Sequence, residues 1–264
     1  MSIHCVRMGS GRPLLMLHGL GGSWRSWSTI IDALRPQRDL VLLDLPGFGE
    51  TPPLPRETSI LTLADAVTTF LGEHGLYGVD VVGSSMGARL ALELARRGVV
   101  GRTVALGPGG FWRGWQRTFF YQSIRASVAL VRLLQPAMPA ICRSPVGRTL
   151  LLRQLSARPW ALPGEAVLEE MRSYARARRF DQLLCSLAYG SEQEGAPAGS
   201  LKKPVVIGWG RGDRVCLPGQ SRRALELFPD ARLHWFSHCG HFPHWDQPED
   251  TVRLILASTE PGLL

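Results

Sequence analysis

The sequence predicts an α/β fold built on a mostly parallel sheet. Three observations predict it. Short apolar runs of strand length recur along the chain, helix-period segments separate the early ones, and a stretch of about ninety residues carries no strand signal. A chain of 264 residues accommodates one α/β core with an inserted helical segment.

The first runs are Leu14–Leu17 and Leu40–Leu43, each too short for a buried helix. Ile60, Leu63, Val67, Phe70 and Leu71 then recur at helical spacing. The run Val79–Val82 follows. A helix is expected from Met86 to about Arg97, where Leu90, Leu94 and Val99 recur less regularly. Thr103–Leu106, Val205–Ile207 and Arg232–Phe236 complete the set. Strands that alternate with helices imply a parallel sheet covered on both faces.

Between the fourth and fifth of these runs the pattern is helical. Phe120, Ile124, Val128 and Val131 form one apolar stripe. A second helix is expected after Pro163-Gly164. Glu165, Glu169 and Glu170 come early in it and Arg176, Arg178 and Arg179 late, an order that complements the helix dipole. Gly195-Ala196-Pro197-Ala198-Gly199-Ser200 reads as a linker back to the core. The expected division is a core of residues 1–110 and 201–264 with a helical lid over 111–200.

Charge is concentrated in that lid. From Phe111 to Asp181 twelve arginines stand against four acids, an excess of eight equal to the whole chain's +8. The lysine, arginine and aromatic interleaving of a nucleic-acid surface is missing, so no nucleic-acid partner is expected. No apolar run reaches the length of a membrane helix, and the first apolar stretch is too short for a signal peptide. A soluble, cytoplasmic protein is expected. The five cysteines are odd in number and widely spaced, which fits free thiols in a reducing compartment.

Gly83-Ser84-Ser85-Met86-Gly87 sits between a strand and a helix. That context exposes the Ser85 hydroxyl on a tight turn, with a helix N-terminus behind it. A serine hydroxyl needs a base to become a nucleophile. His241, in Cys239-Gly240-His241-Phe242-Pro243 after the last strand, is the candidate base. His238, His241 and His244 are spaced by three, but Pro243 argues against a helix and so against a metal site. Asp213, at the end of Gly208-Trp209-Gly210-Arg211-Gly212, is the candidate carboxylate to orient the imidazole. The order Ser, Asp, His matches a known triad layout. Backbone N–H groups of Leu20, in His18-Gly19-Leu20-Gly21-Gly22, and of Met86 are the candidate oxyanion donors, with His18 holding that loop. Trp112, Trp115 and Phe242 are the candidate pocket residues. No metal and no cofactor is expected.

Together with Asp44-Leu45-Pro46-Gly47-Phe48-Gly49, these motifs resemble the α/β-hydrolase superfamily over residues 1–110 and 201–264, and the lid by position. The resemblance implies the α/β-hydrolase fold and a serine hydrolase. Gly107-Pro108-Gly109-Gly110, Ala231–Ser237 and Cys239-Gly240-His241 also resemble the carbon–carbon hydrolases of aromatic-ring degradation. Those enzymes place Asn before the nucleophile and Trp after the histidine. Ser84 and Phe242 stand here instead.

The first expectation is hydrolysis of a small carboxylic ester through an acyl-enzyme. Cleavage of vinylogous diketones is the alternative. Acyl transfer, lactonase or cofactor-free haloperoxidase chemistry and a silent receptor follow. A lid arginine is a candidate to bind a substrate carboxylate.

Overall fold

A computed structural model describes residues 2–55 and 57–260. Seven strands form one sheet: β1 (Cys5–Gly9), β2 (Arg12–Leu17), β3 (Arg38–Leu43), β4 (Asp80–Ser84), β5 (Thr103–Leu106), β6 (Val205–Gly210) and β7 (Arg232–Phe236). Their order is β1-β3-β2-β4-β5-β6-β7. Among the described residues only β1 runs antiparallel, pairing Cys5 with Leu43 and Gly9 with Asp39. The other six are parallel, as six apolar runs imply.

β1 carries no strand signal of its own. It lies at the sheet edge, is only half-buried and contains Arg7, so neighbouring β3 rather than its own pattern dictates its conformation. The central strands are covered on both faces. Leu14–Leu17, Val81-Val82 and Val104–Leu106 are almost entirely shielded from water, which explains their continuous rather than alternating hydrophobicity.

Eleven α-helices are formed among the described residues. α1 is a single turn (Ile31–Leu34), while α2 (Ile60–Glu73) and α3 (Met86–Arg96) pack against the sheet. Ser59 starts α2 in a reciprocal pair with Thr62, each side chain accepting the other's backbone N–H. Its Ile60, Leu63, Val67, Phe70 and Leu71 face the core; each such side chain contributes roughly 1.5–3 kcal/mol by burial.

Between β5 and β6 come α4 (Trp115–Leu133), α5 (Met138–Arg143), α6 (Pro145–Leu152), α7 (Gly164–Arg176) and α8 (Phe180–Tyr189). α9 (Gln220–Leu227) precedes β7, and α10 (Pro243–Asp246) and α11 (Pro248–Thr259) end the described chain. α7 is shorter than its charge pattern predicts. It stops at Arg176, because Ala177 turns extended; Arg178 and Arg179 occupy the turn into α8, where Arg179 donates to Gln182 at 3.1 Å.

The strand order reverses between β2 and β4, and open α/β sheets bind ligands beyond the strand C-termini at such a point. The loops leaving β2, β4, β6 and β7 carry Leu20, Ser85, Asp213 and His241. No described helix is long and apolar enough to cross a membrane.

Candidate active site

Ser85 is the single residue between β4 and α3. Its backbone has φ +54°, the one non-glycine with positive φ among the described residues. Such a conformation costs of order 1–3 kcal/mol and survives only where the surroundings impose it. Here a strand and a helix, both buried, do so. A Cβ on Gly83 would lie 2.1 Å from the Gly87 carbonyl oxygen, and one on Gly87 2.1 Å from that of Leu17. Both positions must therefore be glycine for the turn to close. Ser84 is buried in β4, and its hydroxyl has no hydrogen-bond partner among the described residues.

His241 Nε2 lies 2.8 Å from Ser85 Oγ, and its Nδ1 lies 2.9 Å from Asp213 Oδ2. An ionised carboxylate only accepts, so Nδ1–H donates to Asp213 and Nε2 is left to accept the serine proton. Asp213 Oδ1 accepts the N–H groups of Val215 and Cys216 at 2.8 and 2.9 Å, and Trp209 Nε1 donates to the Cys216 carbonyl at 2.9 Å. These bonds fix the carboxylate before it meets the imidazole. The Cys216 thiol also lies close, but burial and the Asp213 charge push its pKa well above the usual thiol range, so it stays protonated.

The His241 loop is tied to the insertion. The His241 N–H donates to the Leu155 carbonyl at 2.8 Å. Asp246 accepts from Gly240 N–H at 2.7 Å, from Ala157 N–H at 2.8 Å and from the Ser156 hydroxyl.

The loop after β2 passes beside the serine: a Cβ on Gly19 would lie 3.4 Å from Ser85 Cβ. His18 pins that loop by donating from Nδ1 to the Gly19 carbonyl at 2.7 Å and accepting the Leu45 N–H on Nε2 at 3.0 Å. Burial keeps this ring neutral by lowering its pKa. Neither the Leu20 nor the Met86 N–H finds an acceptor among the described residues.

Above the serine opens a cavity of about 880 Å³, part of it open to solvent. Ser85, His241, Leu20 and Met86 line its base, with Trp112, Phe120, Tyr174, Phe180 and Phe242 around them. Trp112 and Phe242, the candidate pocket residues from the sequence, are thus among its lining. Trp115 does not: it is 67% exposed. It begins α4 about 140° around the helix from inward-facing Phe120, so it points to water. The arginine expectation is also corrected. None of the twelve arginines between Phe111 and Asp181 lines the cavity. Arg117 pairs with Glu192 at 2.7 Å, Arg132 with Asp181 at 2.9 Å, and buried Arg148 donates to the Cys142 and Trp160 carbonyls at 2.7 and 2.8 Å.

Residues 14–254 match the model of the alpha/beta hydrolase family. The chain belongs to that family. It is 29% identical to the Pseudomonas putida 2-hydroxy-6-oxononadienedioate/2-hydroxy-6-oxononatrienedioate hydrolase 2, over 97% of this chain and 91% of the relative. It is 28% identical to the pimeloyl-[acyl-carrier protein] methyl ester esterase of Chromobacterium violaceum, over 98% and 99%. The structure resembles an esterase from Exiguobacterium antarcticum with a TM-score of 0.74 and 18% identity, covering 97% of this chain and 94% of that one.

Two residues of this alpha/beta hydrolase were not singled out from sequence. Arg89, on α3, borders the cavity and donates to the Leu187 and Ser191 carbonyls at 3.1 and 2.6 Å. Burial lowers its pKa to about 10, opposed by Glu93. Glu170, on α7, accepts from Ser26 Oγ at 2.7 Å, while Ser173 Oγ donates to the Gly21 carbonyl at 2.7 Å. α7 thereby holds the loop that carries Leu20. The signal for Glu170 was present: it shares a helix face with Val167, Met171 and Tyr174, an acid inside an apolar stripe.

Burial raises the Glu170 pKa from 4.5 to about 7, against the pull of the Ser26 and Tyr174 hydroxyls; nearby Glu169 adds to the rise. The folded state therefore holds this proton more tightly than the unfolded chain. Its stabilisation is complete below about pH 4.5 and is lost as pH rises through about 7. Relative to Glu170→Gln, which does not titrate, the native chain should lose about 3 kcal/mol across that window. Denaturant unfolding at the two ends of the window measures it. Parallel pH profiles for the two proteins would assign the proton elsewhere.

Proposed function

We propose that the protein hydrolyses carboxylic esters of small molecules carrying an apolar acyl group, with Ser85 as nucleophile. The hydrogen-bond chain from Asp213 through His241 to Ser85, opening into an apolar cavity, carries the reading. His241 takes the Ser85 proton as Oγ attacks the ester carbonyl. The Leu20 and Met86 N–H groups, aided by the α3 N-terminus, stabilise the oxyanion. His241 then gives its proton to the departing alcohol, leaving an acyl-enzyme on Ser85. A water, deprotonated by His241, attacks that acyl carbonyl, and the proton returns to Ser85 as the acid leaves. Residues 111–200 serve as the cap over 1–110 and 201–264. It shields this chemistry from bulk water, and its anchors at Leu155–Ala157 and α7 keep it in register with the His241 and Leu20 loops.

The cavity lining favours esters over ionised dienoates. Apart from His241, Arg89 is the one ionisable cation along it among the described residues, and two carbonyls already occupy its guanidinium. The second reading, carbon–carbon cleavage of a vinylogous diketone, is supported by the hydrolase named from Pseudomonas putida and by Arg89 Nε, which is buried without a partner among the described residues.

Activity on nitrophenyl esters of increasing acyl length, run beside a 2-hydroxy-6-oxo-dienoate, tests the proposal. kcat/KM should rise with each added methylene by up to roughly fourfold, the worth of about 0.8 kcal/mol of burial, until the cavity is full. A carboxylate at the acyl terminus should lower it. A dienoate turned over faster than every ester would replace the first reading by the second.

A further inference from the structure

The insertion exposes far more apolar surface than the core. Of the ten large apolar side chains exposed among the described residues, eight belong to 111–200. They are not scattered. α4 buries the Phe120, Val128 and Val131 stripe, yet carries a second stripe facing water: Trp115, Phe119, Leu130 and Leu133, with Leu133 75% exposed. These positions repeat at four, eleven and three residues, so they share one helix side over about 27 Å as two pairs, with exposed Gln122 and Ala126 between them. Trp115 and Phe119 meet edge to face. On α6, Val146 and Leu150 are one turn apart, and Leu150 is 77% exposed.

Both helices contribute residues to the cavity lining. Leu130 lines the cavity and is also half exposed. Opposite it stand Leu151 of α6 and Gln154, whose side chain bridges to α4 through Ser127 at 2.7 Å and Ser123 at 3.0 Å. Leu150 adjoins Leu151 on the outer side of this seam.

Part of the positive charge that accompanies these residues is unneutralised, although Arg117 and Arg132 of α4 pair with Glu192 and Asp181. Arg125, Arg143, Arg153 and Arg158 are exposed and have no acidic partner among the described residues. The excess of eight positive charges between Phe111 and Asp181 is the net charge of the whole molecule. Large apolar side chains exposed in such clusters mark an interaction surface. An apolar band fringed by arginines matches the acyl and headgroup layers of an anionic bilayer.

We propose that this face, α4 and α6 with the cavity mouth between them, docks on an anionic phospholipid surface. The mouth then opens against the acyl layer, and apolar substrates enter from the lipid. The second statement rests on the proposed ester hydrolysis; the docking does not.

Flotation of the full chain carrying Ser85→Ala with vesicles tests docking without turnover. The protein should partition onto vesicles containing phosphatidylglycerol at least about tenfold better than onto pure phosphatidylcholine, and high salt should erase the difference. Arg125→Glu combined with Arg153→Glu should remove the preference for anionic lipid. Leu133→Asp with Leu150→Asp should remove binding altogether. Both pairs lie outside the cavity. In the Ser85 background they should keep the native melting temperature and the rate on a short soluble ester, which separates failure of docking from failure of the catalytic assignment. Equal partition onto neutral and anionic vesicles, or no partition, would overturn the proposal. So would light scattering that shows a dimer broken by the leucine pair without vesicle binding, since a second copy would then cover the face.

Discussion

Ser85→Ala should lower kcat by roughly 10⁴–10⁶ while leaving the fold intact. The substitution removes one oxygen and keeps the Cβ that the positive-φ turn already tolerates, so the strain is unchanged. The hydrogen bond lost is the 2.8 Å contact with His241, one of two that hold the imidazole. An organophosphonate should add a single adduct on Ser85, seen by peptide mass spectrometry, and the Ala variant should take none. Ser84 is the control. Its hydroxyl points into the buried sheet, and Ser84→Ala should retain activity and labelling. An adduct on Ser84, or near-native turnover by Ser85→Ala, would remove the assignment.

Asp213→Asn should cost on the order of 10⁴ in kcat, through the tautomer rather than the fold. Asp213 Oδ1 accepts from the Val215 and Cys216 N–H groups, leaving Oδ2 for His241. In the variant the amide oxygen keeps the two backbone donors, and the amide NH₂ must face the imidazole. Two donors cannot meet, so Nδ1 gives up its proton and Nε2 carries it toward Ser85. A protonated Nε2 cannot accept the serine proton. An unchanged melting temperature with that loss of kcat at neutral pH is the expected result. Full activity would pass the orienting role to another carboxylate.

The local geometry of the serine turn was legible because its motif is a local constraint. Gly83 and Gly87 admit no Cβ, a demand the Gly-x-Ser-x-Gly pattern displays directly. The central strands were readable because burial on both faces makes continuous apolar runs. β1 was not, because its conformation comes from β3. The Leu40–Leu43 run and the serine turn could be located without knowing what lies beside them, whereas Glu170 and Asp246 could not be understood that way.

By itself the sequence determined the parallel sheet, the insertion and the presence of a serine, an aspartate and a histidine on loops after strands. Tertiary structure alone decided that Ser85, Asp213 and His241 meet at 2.8 and 2.9 Å, because their separations along the chain carry no distance information. It also decided which side of each helix between β5 and β6 faces the cavity. α4 has two apolar stripes, and periodicity cannot rank them; packing against the cavity chose Phe120 and left Trp115 in water. The arginines followed the same rule. Their spacing placed them on helix faces, but only the positions of Glu192, Asp181 and the Cys142 and Trp160 carbonyls decided where the Arg117, Arg132 and Arg148 side chains go, since a guanidinium settles where acceptors satisfy it.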